Sequence, residues 1–208
     1  MLGTPKVSNA EYTSEYKYMR TRSTIRHLSH EIGLKNLEVH VAFIGGDIHE
    51  IQMKRSAFRA ALIGTLDISF ARDRFSYFAE YVGDAELESE YDGAALSKFM
   101  FQAVQHLPLE VITGTSVMCQ STIPETDCRL TATAMSTASS VVLGTVTFSN
   151  VSANDVLVAD GITGAITKNG TPVTASFIRL PYLVSGANTV TASEGLSNIT
   201  VEYYPTFL

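Results

Sequence analysis

The sequence predicts a mainly β protein in two parts: an α+β first part with one main helix, and a β-sandwich at the C-terminal end. Three observations carry this. Apolar residues alternate at a period of two from Leu37 to Phe43, Asp-Gly and Asn-Gly pairs recur between short apolar runs, and charge nearly vanishes beyond residue 129.

A chain of 208 residues suits one large domain or two small ones. With 45% apolar residues, 17% charged and no Trp, it has the composition of a protein folded throughout. Residues 1–128 carry 12 basic and 17 acidic groups, whereas residues 129–208 carry 3 and 4, so the net charge of −6 belongs to the first part. No basic stripe of the kind that displaces counterions from DNA is present, and no sequence-specific nucleic-acid binding is expected. The start Met1-Leu2-Gly3-Thr4-Pro5-Lys6 lacks a charged segment leading into an apolar one, and no apolar run approaches a membrane span. Neither export by a signal peptide nor membrane insertion is expected, so the Asn-x-Ser/Thr triplets at Asn150, Asn169 and Asn198 are read as chance matches.

Leu37, Val39, Val41 and Phe43 alternate with Glu38, His40 and Ala42, which marks a strand with one buried face, and Gly45-Gly46 ends it. Asp47, followed three residues later by Glu50, has the form of a capping box and opens a helix expected over 47–63. Ile51, Phe58, Ala61 and Leu62, with Met53 and Ala57 beside them, form its apolar face, and Gly64 sits where a left-handed residue closes a helix. Lys54, Arg55 and Arg59 fall on the flank, a solvated or subunit-facing side. Strands are then expected over Leu66 to Phe70, Phe75 to Val82, Asp84 to Tyr91 and Ala95 to Gln105, with the Asp92-Gly93 pair marking a hairpin. The first part thus reads as strand, helix and antiparallel meander.

Beyond it, Asp160-Gly161 and Asn169-Gly170 give two further hairpin signals beside Val156, Val158, Ile162 and Ile166, and Asn188 to Ala192 with Asn198 to Tyr204 read as a last pair of strands. The boundary is expected in the polar stretch between Thr113 and Arg129, giving a first domain over 1–118, a linker over 119–128 and a sandwich over 129–208. Cys119 and Cys128 are too few for a disulfide scaffold or a four-ligand zinc site. Two free thiols near the junction are the simpler reading, with a disulfide closing that loop as the alternative.

The order of motifs in the C-terminal part resembles the distal tail (Dit) family of siphophages. A strand ending in an aspartate, Val156-Leu157-Val158-Ala159-Asp160, leads to the Asn169-Gly170 turn. The segment Arg179-Leu180-Pro181-Tyr182-Leu183 follows, then Gly186-Ala187-Asn188-Thr189 and the closing run Ile199 to Leu208, in all about 55 residues. A looser resemblance covers Leu37 to Gln105, including Phe75-Ser76-Tyr77-Phe78-Ala79; Met19 to Ile32 is unlike the family. The resemblance implies a structural virion protein of the tail tip, assembled in the host cytoplasm: a homo-oligomeric ring of six whose N-terminal belt domain surrounds the DNA channel. A galectin-like sandwich would point outward, with the tail tube protein and tail tip, hub or receptor-binding proteins as partners. It implies no enzyme and no cofactor.

Asp84, Glu86, Glu88, Glu90 and Asp92 occupy every second position, so on one strand all five point to one face. Five like charges repel, and that face must look into water or toward cations. Three arrangements meet this demand: an edge strand kept soluble by charge, a negative wall lining the ring's lumen, or a calcium site, which the spread along a strand fits worst. His27, His30, His40, His49 and His106 form no metal motif, and no nucleophile–base context or phosphate loop is visible. The alternative to a tail role is a carbohydrate-binding sandwich contacting the host surface. Such sites need exposed aromatic platforms, and Tyr182, Tyr203 and Tyr204 lie in segments that read as core or closing strand.

Overall fold

The structure, a computed structural model, describes residues 6–8, 12–18, 25–32, 34–71, 73–84, 89–91 and 93–207, and for 12–18, 25–32 and 89–91 the backbone alone. It is mainly β, with one helix among the described residues, and divides into two compact units between Gln105 and His106.

In the first unit, β1 (Lys6–Val7) is followed by an antiparallel hairpin of β2 (Tyr12–Tyr18) and β3 (Ile25–Ile32), which the sequence reading did not anticipate. Then come β4 (Lys35–Ile44), α1 (Ile48–Ala61), β5 (Thr65–Ser69), β6 (Ser76–Asp84), β7 (Ser89–Tyr91) and β8 (Ala94–His106). The main sheet runs β1-β4-β8-β6-β5, with β7 pairing on β8. Alternation explains its burial: Leu37, Val39 and Phe43 on β4 and Ala95, Phe99, Phe101 and Ala103 on β8 are buried, while Met100 and Gln102 are exposed.

The helix starts as its capping residues dictate. Glu50 N–H donates to Asp47 Oδ1 at 2.8 Å, and Glu50 Oε2 accepts from Gly46 N–H at 2.7 Å, one residue before the N-cap. The strip facing the sheet is narrower than the apolar pattern suggested. Ile51 and Leu62 are buried and Phe58 is half-buried, but Met53 is 62% exposed and Ala57 and Ala61 lie outside the strip. One turn from each of Ile51 and Phe58, the strip holds a charged residue, Arg55, whose side chain is only 16% exposed.

The second unit comprises β9 (Glu110–Thr113), β10 (Ser116–Cys119), β11 (Glu125–Ala134), β12 (Ala138–Leu143), β13 (Val146–Val151), β14 (Val156–Asp160) and β15 (Ile166–Lys168). They are followed by β16 (Thr171–Pro172), β17 (Ser176–Phe177), β18 (Tyr182–Val184), β19 (Gly186–Thr189), β20 (Leu196–Tyr203) and β21 (Thr206–Phe207). One layer has the order β16-β15-β14-β11-β20-β9, with β18 on the start of β11. The other holds β12-β13-β17 and the pair β10-β19; the chain leaving β19 runs beside β12, with a bridge between Leu143 and Ala192. Leu130, Ala132, Leu157 and Val201 of the first layer and Leu143, Val146 and Phe148 of the second share one core.

Three expectations change here. The division falls ahead of the stretch expected as a linker: β9 and β10 build the sandwich, and Glu125 to Cys128 is strand, with Thr126 and Cys128 buried. The drop in charge near residue 129 therefore does not mark where the sandwich begins. The closing segments do not pair with each other, for β19 pairs β10 and β20 lies between β11 and β9. Finally, Asp160-Gly161 is not a two-residue turn, because β14 and β15 are joined by the longer loop 161–165. Gly161 does not take a left-handed φ. A Cβ there would lie 2.2 Å from Pro181 O and 2.9 Å from Cys128 O, so backbone crowding is what demands glycine. Asn169-Gly170 behaves as expected: φ values of +52° and +76° make the two-residue left-handed turn between Lys168 and Thr171.

Candidate functional site

The strand expected over Asp84 to Tyr91 is described at its two ends only. Asp84 closes β6 and Glu90 sits on β7 opposite Ala95, while Glu86, Glu88 and Asp92 lie outside the described residues and the Glu90 side chain is not described. Asp84 itself is turned onto the helix. Tyr81 and Asp84 are three residues apart yet meet, Tyr81 O–H donating to Asp84 Oδ1 at 2.6 Å, which requires a slip in the alternation; Gly83, at φ +158°, lies within it.

The other carboxylate oxygen is taken by the helix. Arg59 Nε donates to Asp84 Oδ2 at 3.0 Å, and the Nη2 groups of Arg55 and Arg59 reach the same oxygen in short contacts. Four residues apart, the two arginines stand on the same side of α1, one turn above the other. Burial pushes the Asp84 carboxyl up, but the bonds from Arg59, Tyr81 and Arg55 outweigh it and hold the group at about 2. Burial and the Asp84 charge push the Tyr81 phenol up. Asp84 is therefore an anchored anion, and two arginines that the sequence places on a helix flank are its partners within the same chain. Lys54 lies apart from them: its Nζ is 2.7 Å from Glu50 Oε1 and donates to Ile44 O at 2.7 Å.

In the second unit, Arg129 joins neighbouring strands by donating from Nε to Asp160 Oδ2 at 2.9 Å and from Nη1 to Glu202 Oε2 at 3.1 Å. Asp160 also accepts from Ile162 N–H, Thr163 N–H and Thr163 Oγ1, which explains why an aspartate ends β14: it caps the loop that follows. The three tyrosines are engaged. Arg179 lies 3.9 Å over the Tyr182 ring and pairs with Glu125, Tyr203 is buried with its O–H donating to Glu110 Oε2 at 2.7 Å, and Tyr204 meets His106 edge-on at 5.2 Å.

A cleft of about 230 Å³ is lined by Leu130, Leu183, Val190, Thr145 and Asn188 together with Cys128. Burial pushes the Cys128 thiol up to about 12, so this lining supplies no ionised nucleophile. Cys119 and Cys128 are both buried free thiols. Among the described residues no group of three His, Cys, Asp or Glu side chains is placed to hold a metal ion, and no helix is long and apolar enough to cross a membrane.

The architecture that emerges is a helix-bearing antiparallel sheet followed by a two-layer sandwich, and it is the fold of phage distal tail and baseplate hub proteins. The Dit protein (gp 19.1) of phage SPP1, described as a paradigm of the hub adsorption apparatus in phages infecting Gram-positive bacteria, matches over 98% of this chain and 92% of its own, with a TM-score of 0.68 at 11% identity. A chain of the phage p2 baseplate in its activated conformation with Sr matches with a TM-score of 0.53 at 11% identity, covering 98% and 91%. The p2 baseplate in its activated conformation with Ca gives the same TM-score and coverage at 10% identity. No protein-family model and no curated protein matches the sequence.

Proposed function

We propose that the chain is a structural virion protein, a distal tail subunit that forms a ring of six at the end of a phage tail and joins the tail tube to the baseplate or tail tip. The observation that carries this is the likeness to SPP1 Dit over 98% of the chain, across both units, at an identity too low to reflect shared surface detail. In this reading the chain is assembled in the host cytoplasm, needs no cofactor and catalyses nothing. The first unit builds the ring and the second docks other baseplate parts.

Two features of the first unit support ring closure. Among the described residues its main sheet ends at β1 and β5, and α1 leaves Met53 exposed beside Lys54; cyclic head-to-tail contacts cover such edges and faces. Arg55 and Arg59 contribute to that surface through the Asp84 clamp rather than as free cations. Glu86, Glu88, Glu90 and Asp92 line the channel, with Asp84 anchoring the start of the segment, and their charge keeps DNA phosphates from adhering.

Electron microscopy of the purified full chain tests the ring: particles with a central hole are expected, and monomers alone at high concentration, with no rings recovered from assembled particles, would overturn it. Replacing Glu86, Glu88 and Glu90 by Gln removes about eighteen charges from a ring of six. Assembled particles should then eject DNA more slowly, most visibly at low salt, whereas unchanged ejection removes the channel assignment.

A further inference from the structure

The Asn169-Gly170 turn carries chemistry that a tail role does not use. A glycine N–H, unhindered by a side chain, can attack the side-chain carbonyl of the asparagine before it. The new bond joins Gly170 N to Asn169 Cγ; Nδ2 leaves as ammonia with the proton from Gly170 N, and a five-membered succinimide remains. Water then opens either carbonyl, giving aspartate or isoaspartate. Both residues are exposed, and around Gly170 even an added Cβ would meet nothing within 4 Å, so solvent reaches the turn freely. Asn150, Asn154 and Asn198 also have positive φ but precede Val151, Asp155 and Ile199, whose side chains hinder the attack.

In the folded chain the Asn169 side chain is held away from its own C-terminal peptide. Its Oδ1 accepts from Val156 N–H at 2.8 Å and its Nδ2 donates to Asp155 Oδ1 at 2.8 Å, so both amide atoms are tied to the start of β14. Asn169 N–H donates to Val156 O at 2.8 Å as well. Asp155 is fixed in turn: it is 8% exposed, and its Oδ2 accepts from Ser152 N–H at 2.8 Å.

We infer that Asn169-Gly170 is a latent deamidation site kept shut by the hydrogen bonds its side chain donates to Asp155 and accepts from Val156, so that a copy which loses this corner of the sandwich is covalently marked. The mark is irreversible. It sets a negative charge beside Asp155, and isoaspartate adds a backbone carbon for which a two-residue turn between Lys168 and Thr171 has no room.

The test follows conversion at residue 169 by peptide mass spectrometry, with isoaspartate resolved by chromatography, in full chain held in mildly alkaline buffer with and without urea. Native chain should convert slower than denatured chain by on the order of tenfold or more, since two side-chain bonds, one of them to a charge, must open first. Asp155→Ala, shown to be folded by its amide spectrum, should bring the native rate most of the way to the denatured one. Asp155→Asn, the fallback if the alanine variant does not fold, should act similarly, because its single oxygen cannot serve both Ser152 N–H and Asn169 Nδ2. Gly170→Ala should slow conversion in both states. Equal rates in native and denatured wild type would overturn the inference, and this comparison needs no variant to fold; a folded Asp155 variant as slow as wild type would overturn the role of the hydrogen bonds.

Discussion

In the first unit the buried centre is aromatic. Phe99 is fully buried and meets Phe58 at 5.0 Å, Phe43 at 6.1 Å and Tyr81 at 6.1 Å between ring centroids, while Tyr81 also meets Phe101 at 5.8 Å. The inward residues of β11, at the centre of the second unit, are instead Cys128, Leu130, Ala132 and Ala134, and the residues packed against them are mostly aliphatic. Turns also differ. Asn150, Asn154, Asn169 and Asn198 are the four described non-glycine residues with positive φ, and all lie in the second unit. Large rings fix the first unit by shape, whereas the sandwich relies on small residues, close backbone approach and turn chemistry to hold its layers in register.

The largest expected effect tests the aromatic side of this contrast. Phe99→Ala removes the ring that Phe43, Phe58 and Tyr81 share, and should cost about 3–5 kcal/mol in urea unfolding, from lost transfer energy plus an unfilled cavity. Amide exchange should quicken first in β4, β6 and β8. A loss below about 1 kcal/mol would mean that the surrounding rings collapse into the space, and the first unit would not depend on ring shape.

On the sandwich side the corresponding weak point is a position with no side chain. Gly161→Ala would press a methyl group against Pro181 O and Cys128 O, both backbone atoms, while Gly161 N–H donates to Cys128 O at 2.9 Å and Cys128 N–H donates to Pro181 O at 3.2 Å. The three segments must separate, and a cost of about 3 kcal/mol is expected, at the upper end for added volume in a packed site. Faster exchange at Cys128 and Gly161 amides is the local readout. A neutral substitution would show that the loop has room to move, and the argument from close approach would fall.

These two positions also mark what was legible in the sequence. Where a signal is local, it could be read: the alternation of β4, the start of α1 from Asp47 and Glu50, the meander strands β5, β6 and β8 to within a residue or two, and the left-handed pair Asn169-Gly170. Gly161 looked like a turn glycine because the residues that crowd it, Cys128 and Pro181, are distant in sequence. The same holds for β9 and β10, whose four-residue runs become recognisable as sandwich strands only when paired with β20 and β19. At the candidate site, period-two spacing groups Asp84 with the acidic residues after it, and helical spacing puts Arg55 and Arg59 on a flank. Their meeting spans 29 and 25 residues and depends on the slip between Tyr81 and Asp84, which a period-two reading steps over.

The smallest expected effect belongs to that clamp. Asp84→Asn keeps the size and removes the charge, leaving two guanidinium groups without their anion. A loss of about 1–3 kcal/mol is expected, from hydrogen bonds to a charged group of which Arg59, 44% exposed, supplies a screened share. Its dependence on pH separates a charge effect from a packing one. The Asp84 carboxyl sits at about 2 in the folded chain, below its ordinary 3.8, so the folded state favours the ionised form. That contribution is fully present above about pH 4 and is lost as the pH falls through about 2. Urea midpoints of wild type and Asp84→Asn should therefore differ at neutral pH and converge on acidification over this window. A difference that stays constant down to about pH 2 would mean that the carboxylate's charge contributes nothing and that the arginines are held by packing alone. Convergence would establish Asp84 as an anion committed to the helix.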